Sequence, residues 1–250
     1  MEIKEETELV QLDKRLARMA ELMTPGGVGI DVGADHGYLS VSLVASGKAK
    51  QMLATDIRPG PLSSAERCIR ENGLQDRIGT MLTDGLNGVP LEGATDILIG
   101  GMGGLLIAEI LQARLPELKE FNLVLQPMTQ AAALRQWLCD NGFEIICERC
   151  AVAASKAYSI INARYDGVKR ECDPFFALVG KAAEDDSEDA DIYLQTLLSR
   201  EQKTLSGLMS AASPDEEKIA HSRELAERLQ KLLDQRATEH APERKECCKS

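Results

Sequence analysis

No apolar run in the 250-residue chain approaches the ~20 residues that a membrane-spanning helix requires. The amino terminus also lacks the positive start, apolar stretch and small-residue cleavage site of a secretory leader. The chain therefore reads as soluble and cytoplasmic. It lacks an excess of positive charge: 29 Lys and Arg stand against 40 Asp and Glu, for a formal charge of -11, and both halves of the chain are acidic. That balance excludes a protein whose whole surface attracts polyanions, whereas a local basic face assembled by folding is still allowed. A disulfide framework is missing too, because the seven cysteines are odd in number and irregularly spaced. Cys147 and Cys150 form one C-x-x-C inside the alternating run Phe143 to Val152, with no second Cys or His pair at zinc spacing. They read as reduced thiols in or beside a strand, and no metal is expected.

What the chain does contain is organised around Val28-Gly29-Ile30-Asp31-Val32-Gly33-Ala34-Asp35-His36-Gly37-Tyr38. An apolar run ends in an acid and a glycine-punctuated turn, and Leu39, Val41, Leu43 and Val44 follow on what can be one helix face. The pattern predicts strand, tight loop and helix, which places a small adenosine-bearing cofactor at the carboxyl end of a parallel strand. Gly33 and Gly37 let the backbone turn sharply and let a ligand approach without a Cβ in the way. Gln51 to Thr55 predicts a second strand ending at Asp56 and Ile57, at about the 20-residue distance where nucleotide-binding folds place a ribose-binding acid. A carboxylate there accepts from both ribose hydroxyls. Ile78 to Thr83 predicts a third strand running into Asp84-Gly85, and Asp84 can accept from an adenine exocyclic amine. Further on, Asp96-Ile97-Leu98-Ile99 leads into Gly100-Gly101-Met102-Gly103-Gly104 and a helical stretch. Four glycines around one Met are costly in chain entropy, so they imply close backbone approach to a ligand, with a helix amino terminus just behind.

Leu9, Leu12, Leu16, Met19 and Met23 recur at helical spacing before the sheet, and Lys14, Arg15 and Arg18 on the polar side read as solvated charges or, less simply, phosphate contacts. Pro61 to Asn72 predicts a helix with proline at its start. Asn122 to Gln126 predicts a fifth strand, with Thr129 capping a helix through Trp137 and Leu138. Phe143 to Cys150 and Tyr158 to Ala163 should pair as an antiparallel hairpin at the sheet edge. This order of elements implies an α/β fold: a Rossmann-like class I methyltransferase sheet followed by a helical, coiled-coil-like carboxyl domain. The expected divisions are residues 1–165 for the sheet domain with its first helix and 166–238 for a helical hairpin. Residues 239–250 are expected to be a disordered tail. The segment Glu184 to Asp191 is strongly acidic.

An edge carrying Asp31, Gly33, Gly37, Asp56 and Asp84 suits S-adenosylmethionine better than a dinucleotide, since that cofactor has a ribose and an adenine but no pyrophosphate. The first loop lacks G-x-G-x-x-G, and Asp35 would repel a diphosphate. Gly101-x-Gly103 is a partial dinucleotide pattern and leaves an NAD(P)-dependent oxidoreductase as the alternative. The chain also resembles the TrmK-like tRNA (adenine-N1)-methyltransferases, which act on the adenine at position 22. The matching pieces are Leu12-Asp13-Lys14-Arg15-Leu16, Asp31 through Leu39, Gly60-Pro61-Leu62-Ser63-Ser64-Ala65, Asp84-Gly85-Leu86, Gly101-Met102-Gly103-Gly104, Leu125-Gln126-Pro127 and Leu134-Arg135-Gln136-Trp137-Leu138. The resemblance implies methyl transfer from S-adenosylmethionine to N1 of an adenine in tRNA, by a chain expected to be a monomer. Within that reading Asp35 and His36 are polar groups at the reaction centre, able to take a proton, and Tyr38 is a stacking or hydroxyl partner. Gly101 and Met102 stand where amino-methylating relatives carry an Asn/Asp-Pro-Pro-aromatic motif, in accord with a ring nitrogen as nucleophile. The chain departs from the family in Ala153-Ala154-Ser155-Lys156, where acidic residues and a glycine are usual. An adaptor that binds S-adenosylmethionine without catalysis is the third reading.

Overall fold

Asp13 sets the start of the first helix by accepting from the Leu16 amide at 2.8 Å. The structure is a computed structural model and describes residues 10–239. Leu9, residues 2–8 and the tail from 240 onward lie outside the described residues. The capped helix, α1 (Lys14–Leu22), turns Met19 into the core, and Met23 follows it there.

The alternating part of the chain then runs β1 (Gly27–Val32), α2 (Tyr38–Ala45), β2 (Ala49–Asp56), α3 (Pro59–Glu71), β3 (Ile78–Leu82), β4 (Asp96–Gly103), α4 (Gly104–Ala113), β5 (Asn122–Thr129) and α5 (Ala131–Asp140). Helix α3 starts two residues before Pro61, because Pro59 fits the first helical position equally well. Between β3 and β4 there is no helix; buried Leu86 and Val89 in successive turns cover the sheet instead. Thr129 closes β5 rather than capping α5. The residue before α5 is Gln130, in the left-handed region at φ 57° with no side-chain cap.

The hairpin is formed by β6 (Phe143–Ala153) and β7 (Lys156–Tyr165). Ala154 and Ser155 join them at φ 47° and 62°, the two left-handed residues of a tight hairpin turn. The seven strands lie in the order β3-β2-β1-β4-β5-β7-β6, with β7 antiparallel to both neighbours and β6 as the outer strand, so that the hairpin closes one edge of the sheet as expected. Alternation along the strands divides the core: Ile97 and Ile99 face α4 and α5, whereas Leu98 faces Met19 of α1 and Leu39 of α2.

The carboxyl part adds α6 (Pro174–Val179), α7 (Glu188–Met209) and α8 (Glu216–Glu239). Helix α8 includes Thr238 and Glu239. Ser222 donates to Glu201 at 2.6 Å and Arg236 donates to Asp191 at 2.8 Å, so α7 and α8 run antiparallel, as their leucine spacing predicts. The pair packs on the hairpin through Cys150, Val179, Ala190, Leu194 and Leu229. Its polar junction is buried: Arg135 of α5 meets Glu148 of β6 through two hydrogen bonds of 2.9 and 2.7 Å, and neither side chain is exposed. Arg135 also donates to Tyr193 of α7 and to the carbonyls of Ala177 and Leu178, while Ser159 and the Lys181 amide donate to Glu148.

Candidate functional site

The carboxyl ends of β1, β2 and β4 open onto one cavity of about 580 Å³. Asp31, Gly33, Asp35, His36, Tyr38, Asp56, Ile57, Asp84, Gly85, Gly101 and Met102 all line it. Gly37 is the one predicted site residue that does not. It precedes α2 at φ 70°, and a Cβ there would lie 3.0 Å from the Ala65 Cβ, so this glycine serves the approach of α2 to α3.

Asp31 is buried at the foot of the cavity, where Ser40 Oγ donates to it at 2.8 Å. Burial pushes its carboxyl up to about 6, against the pull of that hydrogen bond. Asp56, also buried, accepts from the Arg58 amide at 2.8 Å through Oδ1. Its Oδ2 has no hydrogen bond among the described residues, so one oxygen is left for a ligand. Asp84 stands on the exposed lip. Asp35, at φ 46°, carries its carboxylate to 3.7 Å from His36 Nε2, and the His36 ring stacks on Tyr38 with centroids 5.3 Å apart. All three are exposed, which puts them at the mouth rather than the floor.

The glycine-rich loop has a different cause from the one its composition suggests. A Cβ on Gly100 would lie 2.8 Å from Met19 Sδ, and one on Gly104 would lie 2.3 Å from the Gln130 carbonyl oxygen. Gly101 takes φ 79°. Internal packing and backbone conformation thus account for three of the four glycines. The loop still shapes the site, because Met102 reaches back to the first loop: a Cβ on Gly33, at φ 75°, would lie 2.4 Å from Met102 Cε.

Sequence reasoning left the opposite wall unassigned. Arg15 of α1 lines the cavity and donates to Gln126 Oε1 at 2.7 Å. The same oxygen accepts from the Gly101 amide at 3.0 Å. Lys14 and Arg18 are engaged elsewhere, with Asp189 at 2.7 Å and Glu21 at 2.8 Å. Of the three cations on this helix, only the middle one reaches the site. Among the described residues no group of three or more His, Cys, Asp or Glu is arranged to hold a metal ion, and no helix is long and apolar enough to cross a membrane.

Comparison with known proteins agrees with this geometry. A family model described as a methyltransferase domain matches residues 12–161. The tRNA (adenine(22)-N(1))-methyltransferase of Bacillus subtilis (strain 168) is 32% identical over 240 residues, covering 90% of this chain and 97% of that one. The crystal structure of the B. subtilis M1A22 tRNA methyltransferase TrmK superposes with a TM-score of 0.78 at 29% identity, covering 90% of this chain and 99% of that chain. A Streptococcus pneumoniae structure, solved in complex with S-adenosyl-L-methionine, gives a TM-score of 0.74 at 28% identity, covering 89% of this chain and 100% of that one. With its sheet order, its strand-end cavity and a relative matched over nearly its whole length, the chain belongs to the tRNA (adenine(22)-N1)-methyltransferase family.

Proposed function

We propose that the protein transfers the methyl group of S-adenosylmethionine to N1 of adenine 22 in tRNA, as a monomer in the cytoplasm. One observation carries the cofactor assignment: a buried carboxylate, Asp56, ends β2 with one oxygen that has no hydrogen bond among the described residues, at a cavity that has five carboxylates and two guanidinium groups on its described walls. That charge balance fits a ribose and a cationic sulfur and opposes the pyrophosphate of a nicotinamide dinucleotide. The first loop and the tight packing of Gly33 on Met102 leave no glycine cradle for phosphates.

When bound, S-adenosylmethionine supplies a methyl group on a positively charged sulfur, which leaves as a neutral thioether. Asp56 accepts from the ribose hydroxyls, Ile57 and Ile110 offer apolar surface to the adenine, and Asp84 accepts from its amine. The residues at the mouth meet the tRNA base, which must leave its stack to expose the Watson-Crick edge. Stacked His36 and Tyr38 give that base a flat surface. N1 of neutral adenine carries no proton, so methylation leaves the ring with a positive charge, and the transfer itself requires no proton to be removed. Asp35 therefore serves as a charge partner for the methylated ring instead of a proton acceptor.

The test has two stages. S-adenosylmethionine should raise the thermal midpoint and NAD should not; the opposite pattern sinks the cofactor assignment. Labelled cofactor incubated with unmodified tRNA should then place label on adenine 22. Binding without transfer would leave the adaptor reading instead.

A further inference from the structure

Exposed apolar surface is concentrated on one face of the molecule. Of the ten large hydrophobic side chains that stand exposed among the described residues, six lie at or just past the carboxyl ends of the parallel strands: Tyr38, Ile57, Leu82, Leu105, Leu106 and Met128. Single exposed apolar groups are ordinary, but a cluster along one edge marks a contact surface. Part of it forms a ridge. The pairing of Met102 with Pro127 and of Gly103 with Thr129 brings the start of α4 beside the end of β5, and the close packing of Gly104 on the Gln130 carbonyl fixes that junction. Leu105, 48% exposed, and Met128, 39% exposed, stand on it. Gln126 holds Met128 by donating from its amide nitrogen to Sδ at 3.6 Å.

The ridge separates two openings. Leu106, next to Leu105, lines the cavity of about 580 Å³, and Met128 lines a second cleft of about 200 Å³ with Gln130, Tyr158 and Arg200. Charge does not draw a phosphate backbone onto this edge, since Asp35 and Asp84 stand exposed on it and the chain carries a formal charge of -11. Apolar contact is what the ridge offers instead. For the target adenine to bring its Watson-Crick edge into the cavity, it must leave its stack, and the gap it vacates exposes the faces of its neighbours to water. Apolar side chains inserted between bases cover such faces and offset the cost of unstacking. Resting on the methyl-transfer reading above, we propose that Leu105 and Met128 form an apolar wedge that enters the tRNA base stack beside the target adenine and holds the gap open while that adenine occupies the cavity.

The experiment compares two tRNA transcripts with the full chain, one of natural sequence and one with an abasic residue at position 23, which removes a stacking neighbour of adenine 22. The double variant Leu105→Ser with Met128→Ser should lower kcat/KM on the first transcript by roughly 10- to 100-fold relative to the unmodified protein, and on the second by no more than about threefold. Leu105→Met, which keeps the apolar bulk, should stay within about twofold on both. S-adenosylhomocysteine affinity, read by calorimetry, should be unchanged in every variant; a matching loss there would place these residues in the cofactor site and overturn the wedge. Equal losses on the two transcripts, or no loss on either, would overturn it as well. Absence of transfer by the unmodified protein to either transcript would instead remove the methyl-transfer reading on which the wedge rests. A circular dichroism melt of each variant separates loss of activity from loss of fold, and the two single serine variants keep the comparison open if the double variant does not fold.

Discussion

Burial drives the Asp31 carboxyl up to about 6 from an ordinary value of 3.8, with Ser40 Oγ pulling the other way. Below about pH 4 the group is neutral in both the folded and unfolded chains. Between there and pH 6 only the unfolded chain ionises, so this residue's share of stability is present at low pH and is lost as the pH rises through 6. The full effect is on the order of 3 kcal/mol. Asp31→Asn should therefore gain more stability over the parent in urea melts at pH 7.5 than at pH 4.5; a variant weaker than the parent at both would show that the carboxylate is not held at a cost. A carboxylate kept at such a cost beside the cavity is the pattern expected of a binding residue. Asp31 and Asp56 were readable in the sequence because each follows an apolar run and precedes a turn. Arg15 was not: it looks like its neighbours Lys14 and Arg18, and the contact that distinguishes it, with Gln126, spans 111 residues of chain.

At the scale of elements, the buried pair of α5 and β6 decides how the parts hold together. Arg135 and Glu148 are wholly buried and satisfied from four directions, including α6 and α7. Removing one member strands the other, so Arg135→Met should cost about 3 to 5 kcal/mol in chemical denaturation. A loss below 1 kcal/mol would mean that Glu148 finds other partners. The strands and the long helices were predictable because apolar periodicity reports them directly. The exceptions have local causes. Gln130 takes a left-handed conformation that no turn signal marks, and the connection from β3 to β4 covers the sheet with Leu86 and Val89 without forming a helix. Internal packing of the glycine loop was not legible, because the atoms that forbid a Cβ at Gly100 and Gly104 come from Met19 and Gln130, remote in sequence.

Over the whole molecule, the acidic segment after α6 has a structural task that its composition conceals. Asp185 accepts from the Cys150 amide at 2.6 Å, Asp189 from Lys14 and the Val152 amide, and Asp191 from Arg236. Asp185 and Asp189 of this acidic run thus fasten the helices to the sheet, and Asp191 fastens α7 to α8. Limited proteolysis should for this reason yield no stable fragment ending near Tyr165; recovery of a folded piece of that length would show that the carboxyl helices are dispensable. The same fastening gives α1 two loads to carry. Lys14 grips Asp189 at the start of α7, and the next residue, Arg15, grips Gln126 in the cavity wall. A single peptide bond separates the grip on the helical pair from the grip on the site, so both are made from the first turn of α1. The start of α7 and the cavity wall are therefore tied to the same turn of one helix.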